Sequence, residues 1–69
     1  MGVLLGVVVD FDERRGIGSV QDRSGRSYFF HCVQIADGSR SIEVGVPVAF
    51  VLADGHDARP EAHHLVQTN

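Results

Sequence analysis

Hydrophobic and polar residues alternate in short blocks along the chain, and clusters of Gly, Asp, Ser and Arg separate the blocks. The blocks are rich in Val, Ile, Phe and Tyr, which are residue types that favour β-strands. No block carries an apolar face with helical spacing over three turns, so we expect almost no helix. The pattern predicts five strands, over residues 3–11, 17–22, 27–32, 46–53 and 61–67.

The connections between the predicted strands have the composition of turns. Residues 12–16 and 23–26 are short, polar and glycine-containing, so the first three strands are expected to form a meander. Pro47 lacks a backbone N–H and is expected at the start of the fourth strand or on an unpaired edge. Five short strands predict an all-β fold, a small closed or nearly closed barrel that forms a single domain over residues 1–69.

The period of two assigns the side chains of each strand to its two faces. In the third strand, Tyr28 and Phe30 share one face, while Phe29 and His31 share the other. We expect the first pair to face the core, which leaves Phe29 and His31 on the outer surface. The predicted core consists of Val8, Val20, Tyr28, Phe30, Val48, Phe50 and Leu65.

Composition limits the range of functions. The chain has six Arg, no Lys and nine acidic residues, for a formal net charge of −3, so a generic basic surface for phosphates is not expected. Cys32 is the single cysteine, which excludes an internal disulfide and favours the reducing cytoplasm. The longest apolar run, residues 3–9 with Gly6 included, is too short to span a bilayer, so no membrane association is expected.

Candidate catalytic and metal-binding groups do not form a recognisable constellation. His31 with Cys32, and His63 with His64, are adjacent pairs, and neighbouring side chains of a strand point to opposite faces. The spacings that are typical of zinc ligands do not occur in the sequence. The sequence therefore predicts no enzyme activity, no metal site and no cofactor.

Five stretches of the sequence, in order, resemble the motifs of bacterial cold-shock proteins over nearly the whole chain. Residues 6–11 are similar to the first strand of that family, and residues 15–20 and 28–32 are similar to its two ribonucleoprotein motifs. Residues 43–50 and 60–65 resemble its later E-G-x-x-V-x-F and P-x-A-x-N-V segments. The resemblance implies an OB-fold barrel that binds single-stranded RNA or DNA.

The binding residues that the resemblance implies are partly present. Cold-shock proteins stack bases on aromatic rings of the first three strands, and at such positions this chain has Phe11, Phe29 and His31. Arg15 stands at a basic position, where it can pair with a phosphate or stack on a base. Ile17 replaces a phenylalanine and retains apolar contact. The implied nucleic-acid-binding residues are Phe11, Arg15, Ile17, Phe29 and His31.

Several positions depart from the cold-shock pattern. Asp10 and Val9 replace a tryptophan and a lysine, Ile17 and Ser19 replace two phenylalanines, and Cys32 replaces another. The loss of about four to six stacking contacts, at about 1 kcal/mol each, weakens binding by roughly three to four orders of magnitude. The resemblance therefore implies a nucleic-acid-binding protein with weakened base stacking.

Two functions remain open at this point. The first is a module that binds single-stranded RNA or DNA weakly. The second is a barrel adapted to contact a protein partner through an apolar patch of Val9, Ile17 and Phe29, since aliphatic side chains bury area but stack poorly on bases. In either case we expect a monomer or a weak homodimer. A small basic patch beside the site, if one forms, draws on Arg14, Arg15, Arg23, Arg26 and Arg40.

Overall fold

The alternating blocks fold into five β-strands. A computed structural model describes residues 2–55 and 59–68 of the chain. Its strands are β1 (Leu4–Asp12), β2 (Ile17–Asp22), β3 (Ser27–His31), β4 (Pro47–Asp54) and β5 (Pro60–Gln67). Each strand begins and ends within one residue of its predicted bounds, because the β-branched and aromatic runs stop where turn residues begin. Pro47 opens β4, as expected for a residue without a backbone N–H.

The strands close into a barrel in the order β1–β2–β3–β5–β4, and β4 pairs back to β1. The pairs are antiparallel except for β3 and β5, which run parallel to each other. Among the described strands, closure removes the free edges that an open sheet would expose. The prediction of an all-β, five-stranded barrel of the OB type is confirmed.

Inward side chains from all five strands fill the barrel. Phe30 and Phe50 are the largest of them, and both are fully buried. All the predicted core residues except Tyr28 are buried. The connection between β3 and β4 adds two more apolar side chains from outside the strands. The complete buried apolar set is Val8, Val20, Phe30, Ile35, Ile42, Val48, Phe50, Ala62 and Leu65.

Tyr28 is half-buried, and the prediction that it belongs to the core is wrong in this respect. Its ring packs against Phe50, with centroids 6.0 Å apart, so the apolar part of the side chain does contact the core. Its hydroxyl donates a hydrogen bond to Oδ2 of Asp22 at 3.0 Å. A buried phenol hydroxyl needs a hydrogen-bond partner. The rim of the barrel provides Asp22 as that partner, whereas the centre of the barrel is apolar.

A β-bulge changes the direction of the side chains in the second half of β1. Val8 pairs with Val20, but the next pair along the ladder joins Asp10 to Ser19, so Val9 is an extra residue. The extra residue reverses the parity of the strand. Residues after the bulge therefore face the side opposite to the one that strict alternation predicts.

The reversal turns Phe11 toward the core. Phe11 pairs with Gly18, and its ring stacks on that of Phe30, with centroids 5.9 Å apart and an interplanar angle of 10°. Gly18 also pairs with Phe30, so both rings belong to neighbours of this glycine. A Cβ atom on Gly18 would lie 2.8 Å from Cζ of Phe30, which explains why a residue without a side chain occupies this position.

A short 3-10 turn, Cys32–Gln34, follows β3. Cys32 was expected to be the last residue of the third strand, but its carbonyl accepts the N–H of Ile35 at 3.1 Å and starts this turn instead. Oε1 of Gln34 accepts the N–H of His64, which joins the turn to β5. No other helical element occurs in residues 2–55 and 59–68, and within them no helix is long and apolar enough to cross a membrane.

Candidate functional site

Phe29 and His31 point outward from β3. Both are exposed, and Phe29 has 38% of its surface accessible, because Tyr28 and Phe30 take the inner face. The two outward rings meet edge to face, with centroids 4.8 Å apart and an interplanar angle of 88°. Such a contact holds both rings in a defined relative orientation. The prediction that these two residues lie on the outer face of β3 is confirmed.

Ile17 lies beside this aromatic pair on β2. It pairs with His31 across the ladder, and Ser19 pairs with Phe29. Directly paired residues lie on the same face of a sheet, so the half-buried Ile17 adds apolar surface next to the imidazole. On the far side of β2, Asp10 pairs with Ser19, which places a carboxylate in the same row as Phe29. The outer face thus combines an aromatic pair, an aliphatic side chain and one negative charge.

Arg15 lies in the turn between β1 and β2, at the end of the barrel where β3 finishes at His31. Oδ1 of Asp12 accepts the Arg15 N–H at 3.3 Å, and Gly16 has a positive φ of 69°, which a glycine adopts readily. The N–H of Cys32 donates to the carbonyl of Gly16 at 2.7 Å and ties the turn to the residue after β3. The exposed Arg15 is therefore held next to one end of the outer face.

Among the five implied binding residues, Phe11 is the one that the fold does not bring to this surface. It follows the Val9 bulge, pairs with Gly18 and stacks on the buried ring of Phe30. The ring is half-buried at the rim of the core. Strict alternation from Val8 places it on the outer face, and the bulge is the reason for the difference.

A cleft of about 730 Å³ opens on the other side of β3, toward the start of β5. Phe29 and His31 line one side of it, and Arg59, Pro60 and Glu61 line the other. The cleft forms where Phe29 pairs with Glu61 in the parallel contact between β3 and β5. The aromatic pair therefore belongs both to the outer face of β2–β3 and to this cleft.

Two arginines flank the cleft. Arg26 directly precedes β3, Arg59 directly precedes β5, and both are exposed. Among the residues that the structure describes, no carboxylate lies within 4.0 Å of either guanidinium. The acidic residue of the cleft, Glu61, has a side chain that is only 14% exposed, and its Oε1 lies 3.6 Å from Nε2 of His63. Among the described residues that line the cleft, the exposed full charges are consequently those of the two arginines.

One carboxylate organises the turn that carries Arg26. Oδ1 of Asp22 accepts hydrogen bonds from the Ser24 hydroxyl at 2.7 Å, the Ser24 N–H at 2.9 Å and the Arg26 N–H at 3.0 Å. The hydrogen bond from the Ser24 hydroxyl, with those from Arg26 and Tyr28, lowers the pKa of Asp22 below its ordinary value. Partial burial and the bond to Asp22 raise the pKa of Tyr28. The network fixes the backbone of Arg26 at the entrance of the cleft.

The fold distributes the predicted basic patch over different parts of the surface. Arg26 lines the cleft, whereas Arg23 lies beside Leu5 on another part of the barrel wall. Arg59 is absent from the predicted site, and the structure adds it. Its position depends on the pairing of β3 with β5, and the one local signal is the Arg59-Pro60 pair at the start of β5.

Comparison with known proteins does not extend this picture. The chain matches no protein-family model and no curated protein. Within residues 2–55 and 59–68, no three His, Cys, Asp or Glu side chains gather closely enough to hold a metal ion. The fold and the site define a small closed β-barrel protein with an outward aromatic pair and an arginine-flanked cleft, and its function is inferred from that surface.

Proposed function

We propose that this protein is a binding module for single-stranded RNA or DNA, with the outer face of β2–β3 and the adjoining cleft as its binding surface. The observation that carries the proposal is the edge-to-face pair of Phe29 and His31 beside Arg26 and Arg59. Unpaired bases have flat apolar faces that stack on aromatic rings, and guanidinium groups pair with phosphates. Cys32 is a free thiol, which suits the cytoplasm, where we place this module.

The residues of the surface have separate roles in this proposal. Phe29 provides a stacking face, which contributes about 1–3 kcal/mol per base. His31 fixes the orientation of that ring and offers ring nitrogens for hydrogen bonds. Ile17 extends the apolar surface, and Arg15 supplies a cation for phosphate at the end of the strands. The resemblance of the sequence to cold-shock proteins supports the same assignment, with Phe11 acting through the core rather than by stacking.

The affinity is expected to be weak. Phe29 is the exposed phenylalanine of this face, and Ser19, its neighbour on β2, has no ring to offer a second base. Asp10 continues the same row and repels phosphates, as does the net charge of −3. The arginines of the cleft offset this repulsion only locally and neutralise few phosphates, so binding is expected to decline only moderately with salt.

Titration of labelled oligo-dT and oligo-U at low salt tests the proposal. We expect a dissociation constant below about 1 mM, and Phe29→Ala is expected to weaken binding by about 5- to 150-fold, equivalent to the stacking energy of one base. Val44→Ala is the matched control, since Val44 is an exposed apolar residue in the β3–β4 connection. The absence of binding at about 1 mM, or equal affinities of wild type and Phe29→Ala, would remove the proposal.

The salt dependence of the same titration tests the arginines. The slope of log K against log salt concentration is negative, and each lost phosphate contact on a single strand reduces its magnitude by about 0.7. Arg26→Gln and Arg59→Gln are expected to make the slope shallower, while Arg23→Gln, beside Leu5, is the control and leaves it unchanged. Unchanged slopes in the first two variants would exclude the cleft as the path of the phosphates.

The alternative, contact with a protein partner through Val9, Ile17 and Phe29, has less support. The pairing of Asp10 with Ser19, and of Ser19 with Phe29, interrupts this patch with polar groups. A partner that binds the wild type but not Ile17→Asp, together with the absence of oligonucleotide binding, would favour this alternative.

A further inference from the structure

The outward side chains of β1 before the bulge are aliphatic. Val3, Leu5 and Val7 follow one another at every second position, and all three are exposed, with Val3 at 64%. Alternation accounts for their direction, because Leu4 packs against the core and Val8 is buried within it. Isolated exposed aliphatic residues are common, but Val3, just before β1, and Leu5 and Val7 on it form a continuous apolar row.

The pairing of β1 with β4, and of β4 with β5, extends this row sideways. Leu5 pairs with Ala49, and Ala49 pairs with Val66. Val7 pairs with Pro47, while Val51 lines a common depression with Val3. We refer to the resulting surface as the aliphatic face. It consists of Val3, Leu5, Val7, Pro47, Ala49, Val51 and Val66.

The aliphatic face is large for a protein of this size. From their exposed fractions, its side chains present on the order of 400 Å² of apolar surface, in the range that is often functional. A stable protein interface buries about 800 Å² per partner, and the centre of that area is its most apolar part. The aliphatic face therefore covers about half of the area that one partner contributes, which corresponds to the apolar centre of such an interface.

The charges around the aliphatic face suit a contact between identical surfaces. In a two-fold symmetric dimer, each residue meets the same surface on the other copy, so a charged patch would repel itself. The aliphatic face has no charged member. Its rim beside Leu5 has one residue of each sign, Asp22 and Arg23. Two copies can thus meet here without bringing a cluster of like charges together.

We propose that the aliphatic face is the interface of a two-fold symmetric homodimer. Because the barrel is closed, the copies meet through side chains and not by addition of a strand to a sheet edge. The interface shares no residue with the candidate site, so a dimer keeps Phe29 and His31 of both copies exposed. If the proposed function holds, the dimer binds a long strand at two sites, and the avidity offsets the weak stacking of each site.

Sedimentation equilibrium over a range of protein concentrations tests the dimer directly. The average mass of the wild type is expected to rise from one chain toward two as the concentration approaches about 1 mM. Leu5→Glu and Val66→Glu each place two like charges within the interface, and each is expected to weaken association at least about tenfold. Val33→Glu and Val44→Glu are controls, since both residues are more than 60% exposed and lie in the β3–β4 connection.

Circular dichroism is the check that each variant is folded, and we expect folding because the substituted positions are exposed. A wild type that remains a monomer at about 1 mM, or association that the Glu substitutions do not weaken, would overturn the proposal. The test of the dimer can be distinguished from a test of nucleic-acid binding. A short oligonucleotide that fills one site binds Leu5→Glu as tightly as it binds the wild type, whether or not the wild type is a dimer.

Discussion

The rings of Phe11 and Phe30 stack in parallel, 5.9 Å apart, although Phe11 lies on β1 and Phe30 on β3. The residue between them in the sheet is Gly18, which pairs with both. The absence of a side chain on β2 allows the two rings to meet across it, an arrangement in which aromatic rings cover a glycine in a sheet. The contact joins the second half of β1 to the core.

The close approach of Asp10 and Phe30 to Gly18 leaves no room for a side chain at this position. In Gly18→Ala the new methyl group would collide with the carbonyl oxygen of Asp10 and with the ring of Phe30. We expect a loss of about 3 kcal/mol in the free energy of unfolding, measured by urea denaturation, because overpacking forces the backbone or the ring to move. Gly2→Ala is the control, since nothing lies within 4 Å of its new methyl group. Equal stability of the two variants would contradict the packing described for Gly18.

The carboxylate of Asp22 should make stability depend on pH in the acid range. The hydrogen bonds from Ser24, Arg26 and Tyr28 stabilise its charged form, so its pKa in the folded protein lies below the ordinary value of 3.8. The stabilisation is complete above that value and is lost as the pH falls through the folded pKa. The free energy of unfolding of the wild type is therefore expected to decline below about pH 4.

Asp22→Asn is the variant that tests this assignment. It lacks the titrating carboxylate, so its stability near neutral pH is lower and its decline in acid is shallower than in the wild type. Asp37 also has a lowered pKa, chiefly because its carboxylate accepts a hydrogen bond from the backbone N–H of Ser39 at 2.9 Å. Asp37→Asn therefore serves as a comparison at a separate turn. Parallel pH profiles of wild type and Asp22→Asn would contradict the role given to Asp22.

Ser19, beside Phe29, is a position where a substitution is expected to strengthen the binding of oligonucleotides. Ser19 lies between Phe29 and Asp10 in one row of the outer face. In Ser19→Phe a second ring joins the first, and we expect binding of oligo-dT to strengthen by about 5- to 150-fold, the effect of one additional stacked base. Ser19→Ala is the matched control and leaves the affinity unchanged. An increase in stability without an increase in affinity would indicate that the outer face does not stack bases.

Arg40 has a backbone conformation that a glycine would adopt more easily. Its φ of 61° lies in the left-handed region, which costs about 1–2 kcal/mol for a residue with a side chain. Arg40→Gly removes this cost, but the greater flexibility of glycine in the unfolded chain offsets part of the benefit. We therefore expect Arg40→Gly to raise the free energy of unfolding by about 0.5–1 kcal/mol. Arg14→Gly, at a turn position with negative φ, is expected to lower it by a similar amount. Urea denaturation of the two variants gives the comparison, and changes of the same sign would contradict it.

The outward position of Phe29 and His31 was predictable because it depends on local geometry alone. Successive side chains of a strand point to opposite faces, so the burial of Phe30 requires its neighbours to be exposed. The boundaries of the strands were predictable for a related reason. Residues such as Gly16, Gly25 and Pro47 end or begin a strand through their own backbone preferences.

The position of Phe11 was not predictable in this way. A single extra residue, Val9, reverses the parity of the strand, and the run of valines that ends at it looks the same with or without a bulge. The bulge is selected by the contacts that it allows, above all the stacking of Phe11 on Phe30. Those contacts involve β3, which the local sequence around Val9 does not describe.

The sequence by itself determined the five strands, the inward or outward direction of most of their side chains, and the outward aromatic pair. These features follow from alternation and turn chemistry over a few residues. Tertiary structure alone decided three other features: the inward turn of Phe11, the cleft that joins Arg26 to Arg59, and the aliphatic face shared by β1, β4 and β5. Each of them depends on which strands lie side by side and in which register. Closure of the barrel sets that register through contacts between residues that are far apart in the chain.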